Sequence, residues 1–178
     1  YDESKNPVSS THSSQVTVAF GYATSSEKHV QNADGSKRAS STETGSGQYI
    51  TLDSTQEGFR YTLQVNNATD EAMTKLVLID NLPEAGDTDP FGNDAQRGSN
   101  FTVSLADNPD FQVLVTPEDG EPTQLDSHYY QIQYSSDTDF GGPMSADWAG
   151  ETTETTATWV DAGSWTSPLS EVRSIRII

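Results

Sequence analysis

The chain has 178 residues, 27 acidic and 9 basic, for a formal net charge of −18, with 32% hydrophobic residues and no cysteine. The length suits one domain, and the charge excludes a surface that recruits nucleic acid or anionic lipid, since both carry phosphate. Without cysteine there is no disulfide framework and no thiol chemistry, and no stretch is apolar enough for a signal peptide or a membrane span.

Residues 1–14 are polar, rich in Ser and Thr, and read as a linker or the tail of a preceding domain. Residues 15–178 read as a single domain. Gln15 to Tyr22 alternates apolar and polar positions and predicts a half-buried strand. Ala23 to Gly47 is nearly devoid of large apolar residues and is expected to be a long loop or hairpin tip, with Asp34-Gly35 as a turn signal. Strands are predicted over Gln48 to Asp53 and over Gly58 to Asn66, where Phe59, Tyr61, Leu63 and Val65 share a face.

Lys75 to Asp80 holds four consecutive apolar residues, Leu76 to Ile79, the pattern of a central strand covered on both faces. Asn81 to Ser99 is broken by Pro83, Gly86, Pro90, Gly92 and Gly98, and no regular element is expected there. Further strands are predicted over Asn100 to Ala106, Phe111 to Thr116, His128 to Tyr134, Thr155 to Val160 and Val172 to Ile178, with a long loop over Ser135 to Glu154. No segment has helical periodicity over three turns. The expected fold is therefore all-β: an antiparallel β-sandwich with long irregular loops. Phe59, Tyr61, Leu63, Leu78, Phe101, Val103, Val113, Ile132 and Trp159 are its expected buried set.

The run Leu76 to Asp89 (LVLIDNLPEAGDTD), followed by Gln96 to Leu105 (QRGSNFTVSL), resembles a β-sandwich module repeated in large sortase-anchored surface proteins of Gram-positive bacteria. The matching phrases are Asp80, Leu82, Pro83, Gly86 and Asp87, then Arg97, Gly98 and Ser99, with a YQIQYS phrase at Tyr130 to Ser135 and VRSIRI at Val172 to Ile177. The resemblance covers about residues 59–178. It implies an immunoglobulin-like or collagen-adhesin-like sandwich, set among neighbouring domains of the same chain on the bacterial cell wall. On that pattern both ends read as cuts inside a longer protein, and the domain is expected to be truncated at its C-terminus.

No catalytic constellation stands out, and the chain reads as a non-enzymatic module. His12, His29 and His128 lack metal-ligand spacing. The acidic loop offers Asp80, Asp87, Asp89 and Asp94 as calcium ligands, because calcium takes six to eight oxygens from carboxylates and carbonyls. The competing expectation is an ion pair of Arg97, the first cation after Lys75, with Asp80 or Asp87. Lys75 is the lysine weighed for an intramolecular amide cross-link, but Asp80 lies five residues on and faces the other way, so the full sequence mass is expected. Trp148, Trp165 and Tyr129 are the aromatic candidates for stacking on sugar rings. These features lead to an extracellular stalk or adhesion module, with host matrix protein or glycan as the partner class. A carbohydrate-binding module is the alternative. No nucleic acid partner and no direct membrane insertion are expected.

Overall fold

Val77–Asn81 forms β5, the strand around which the main sheet is built in this computed structural model, which describes residues 14–17, 24–34, 39–40, 58–67, 72, 76–90, 95–140 and 157–178. In chain order the strands are β1 (Ser14–Thr17), β2 (Thr24–Asn32), β3 (Ala39–Ser40), β4 (Phe59–Asn67), β5, β6 (Leu114–Val115), β7 (Thr123–Gln124), β8 (Ile132–Ser135), β9 (Val160–Asp161) and β10 (Ser174–Ile177). Among the described residues the helical segments are single 3-10 turns at Ser127–Tyr129, Ala162–Ser164 and Leu169–Glu171. None is long and apolar enough to cross a membrane.

The fold is all-β, and among the described residues every strand pair is antiparallel. A five-stranded sheet runs β1-β5-β10-β8-β9, a three-stranded sheet runs β3-β2-β4, and β6 and β7 form a small hairpin. Register explains why β5 carries consecutive apolar residues. Ile175 on β10 lies opposite both Asp80 on β5 and Tyr134 on β8, and Ile177 lies opposite both Leu78 and Ile132. Alternation puts these six residues on one face. There Tyr134 and Ile175 join Leu82, Val103 and Val172 in the main core, and Phe59 and Tyr61 of β4 pack against it. The opposite face carries Ile79, which clusters with Phe140 and Ala157, while Val77 and Trp159 close over them. Apolar residues are therefore required on both sides of β5.

The two outer partners of β5 have a directional consequence. β1 and β10 are each antiparallel to β5, so they run parallel to one another on either side of it. Ser14, the first residue of β1, faces Asp80, whereas Ile177, the last of β10, faces Leu78. The chain thus arrives at one end of β5 and departs from the other.

Several expectations need correction. Ala23 to Gly47 is not simply a loop: β2 is a nine-residue strand paired with β4 along its whole length, from Thr24↔Asn67 to Asn32↔Phe59. Its buried positions include Lys28, His29 and Asn32, so no apolar alternation marks it. Asn100 to Ala106 makes no ladder. Val103 instead donates its N–H to the Pro83 carbonyl at 2.9 Å, and the extended segment sends Phe101, Val103 and Leu105 toward the core.

The strand expected over Phe111 to Thr116 shrinks to Leu114–Val115; of that expected over Thr155 to Val160, Thr155 and Thr156 lie outside the described residues, and the strand found there is Val160–Asp161. The 81–99 segment, expected to be irregular, folds back on itself. Gly86 bonds Ser99, Arg97 bonds Asp87, Asp89 bonds Ala95, and Thr88 bridges Gln96. Gly86 and Gly98 hold φ of 81° and 76° at the base of this fold-back, a left-handed conformation that favours glycine. Of the expected core set Val103 is fully buried and the others are half-buried; Ile79, Leu82, Tyr134, Phe140, Val172 and Ile175 lie deeper. The strand expected over Gln48 to Asp53 lies outside the described residues.

Candidate functional site

The C-terminal end of β5 gathers two buried ion pairs, Lys28–Asp80 and Arg97–Asp87. Asp80 takes an inward position otherwise filled by apolar residues, and β2 supplies its partner: Lys28 Nζ lies 2.5 Å from Asp80 Oδ1, with both residues 3% exposed. The aliphatic stem of a lysine can cross an apolar interior if its amine reaches a carboxylate at the end. Tyr61 of β4 roofs the contact, with Lys28 Nζ 4.0 Å from its ring centroid, a cation–π distance. Burial raises the Tyr61 phenol above the ordinary tyrosine value; the Asp80 charge adds to this, and Arg97 opposes it. Asp80, Lys28 and Tyr61 come from β5, β2 and β4, so one polar contact joins the two larger sheets.

The next residue serves a second cation. Arg97 Nη1 donates to Asn81 Oδ1 at 2.7 Å and to Asp87 Oδ2 at 2.6 Å, and Nη2 reaches the Asn81 carbonyl at 3.3 Å. Asp87 also accepts the Glu84 N–H at 3.2 Å, which fixes the turn that carries it. Arg97 therefore ties the 82–99 fold-back to the end of β5. The buried Asp87 Oδ1 and Arg97 Nε are left without hydrogen-bond partners inside the protein.

These contacts decide where the expected site residues stand. Arg97 is held by Asp87 and Asn81, whereas Asp80, its other expected partner, is held by Lys28. Two of the four carboxylates considered for calcium are thus occupied by side-chain cations, and Asp94 lies outside the described residues. Among the described residues no cluster of three or more His, Asp or Glu side chains is arranged to hold a metal. Lys75 also lies outside them; the lysine against Asp80 is Lys28.

The aromatic candidates separate. Trp165 packs edge-on against Tyr134 at 5.9 Å between centroids, as part of the core margin. Tyr129 is 67% exposed and stacks on His128 at 3.7 Å. Trp148 is outside the described residues. Trp159 covers the second cluster, with Phe140 at 5.8 Å and the Arg176 guanidinium 4.5 Å from its ring. Desolvation pushes Arg176 down to about 10, and Gln133 Oε1 accepts from its Nε at 2.8 Å.

Sequence reasoning missed Lys28 altogether. The available signal was the length of unbroken chain: residues 24–32 contain neither Gly nor Pro and can form a strand whatever their polarity. No family model, curated relative or solved structure matches this chain.

Proposed function

We propose that the chain is a non-enzymatic, extracellular β-sandwich module of a bacterial surface protein, immunoglobulin-like or adhesin-like, acting as a spacer that carries tension between neighbouring domains. The observation behind this reading is the placement of β1 and β10 as parallel strands on either side of β5, with arrival and departure at opposite ends. Tension along the chain then loads both ladders in shear. Their hydrogen bonds resist together, whereas peeling would break them one at a time. The acidic, cysteine-free composition and the resemblance of the 76–105 region to wall-anchored modules support the same reading.

Single-molecule stretching tests it. The chain has no cysteine of its own, so thiol handles can be introduced at will. Pulling from the two ends should give a high rupture peak. Pulling between handles at Ser14→Cys and Glu171→Cys, beside the same end of β5, should give a much lower one. Equal peaks would reject the spacer reading.

A carbohydrate-binding module is the second reading, favoured by Tyr129, which presents an exposed ring already stacked on His128. A glycan array comparing the wild type with Tyr129→Ala tests it: signals lost in the variant support it, and a blank array rejects it.

A further inference from the structure

We infer that Lys28 and Asp80 form an inter-sheet catch, engaged when β1 gives way under tension; this rests on the spacer reading above. β1 is four residues long and, among the described residues, pairs with β5 alone. It is the weaker of the two ladders flanking β5, because the other, β10, is also held by β8. When β1 slides off, the next strand in the chain, β2, takes the load. β2 belongs to the other sheet and, among the described residues, has no ladder with β5. Lys28 ties it directly to that strand through Asp80. The force path then runs from β2 through Lys28 to Asp80, along β5, and out through β10, whose Ile175 lies opposite Asp80.

The chemistry suits a catch better than a stabiliser. At equilibrium a buried ion pair gains little over well-packed apolar side chains of similar volume, since desolvation offsets the attraction. Under force the balance differs. The pair sits where both side chains are nearly inaccessible, at 1% and 4% exposure. Parting the charges by a short distance loses the hydrogen bond before water can enter to solvate them. An interaction lost over a short distance resists with a high force, whereas apolar packing gives way more gradually. Tyr61, over the Lys28 amine, keeps the contact covered until the sheets separate.

The test is end-to-end stretching of the full chain, wild type against the double variant Lys28→Met/Asp80→Leu, with denaturant unfolding of both. The double change removes both charges from the buried site, so neither is left unpaired and the protein should fold; the single variant Lys28→Arg, which retains the charge, serves as a second probe. The catch predicts a high-force release of β1 followed by a second peak in the wild type. In the double variant the second peak should be lowered while the first is kept and the equilibrium midpoint is unchanged or raised, and Lys28→Arg should keep the second peak. A second peak of unchanged force in the double variant overturns the catch and leaves the spacer reading standing. A wild type with no high-force first peak overturns the spacer reading itself.

Discussion

Asp80 and Asn81 are neighbours on β5, yet each holds a different cation: Asp80 bonds Lys28 of the facing sheet, and Asn81 bonds Arg97 of the fold-back. A single strand end thereby fixes both the approach of the two sheets and the course of the loop. The consequences for stability can be measured separately.

Arg97→Met should destabilise the protein by about 3 kcal/mol, the usual scale for removing one partner of a buried pair. It strands the Asp87 carboxylate, whose side chain is 4% exposed, and releases Asn81. Urea unfolding followed by tryptophan fluorescence checks this. Lys28→Met alone should cost a similar amount, since it leaves Asp80 charged in the core. Adding Asp80→Leu should recover most of that loss, which would appear as a large coupling in a double-mutant cycle.

Calcium should leave the melting curve unchanged. Asp80 and Asp87 already have cationic partners at 2.5 and 2.6 Å, and a metal would have to displace Lys28 and Arg97 to reach them. Thermal melts with millimolar calcium and with a chelator decide the matter. A calcium-dependent rise that Asp87→Ala abolishes would refute this expectation.

High pH should weaken the fold. Burial raises the phenols of Tyr61 and Tyr134 above the ordinary value of 10.0, with the Asp80 charge adding at Tyr61. A group whose pKa is raised on folding contributes stability that is fully present below its unfolded value and is lost as pH climbs toward the folded one. Stability should therefore be flat up to about pH 10 and fall beyond it. Ultraviolet titration should show at least two of the seven tyrosines ionising late, together with unfolding. Tyr61→Phe should reduce the alkaline loss.

The intact mass should equal the sequence mass. Lys28 and Asp80 then meet as an ion pair, and Lys75 stays unlinked. A shortfall of one water in the whole protein, mapped to the peptides holding Lys28 and Asp80, would show that the pair had condensed to an amide.

The legible parts of the fold were those where burial is apolar. β4 follows the alternation of Phe59, Tyr61, Leu63 and Val65, and β5 follows its consecutive aliphatic run and its place between two strands. The main sheet's third strand, β10, also falls within the predicted run. β2 escaped because its interior positions are polar: a strand that buries Lys28, His29 and Asn32 writes no hydrophobic period into the chain. Asn100 to Ala106 misled in the opposite sense. Its alternation reports a segment lying extended against the core, and a ladder needs an adjacent strand, which it does not have among the described residues. Among the site residues, Asp80 stood out as the charge that ends an apolar run and Asp87 as a carboxylate of the acidic loop after it. Which cation each would meet depends on the packing of two sheets and one loop, and on contacts spanning 52 and 10 residues of sequence.

The position of β1 also bears on how the protein behaves in company. Its four residues cover one side of β5. Stripped of that cover, β5 would present bare N–H and C=O groups along an aliphatic strand, the kind of edge on which another chain pairs and aggregates. A fragment cut after Thr17 is thus expected to self-associate where the longer chain stays monodisperse. The small N-terminal strand would then act as a guard against sticking, and where a boundary is drawn in this region decides whether the product stays in solution.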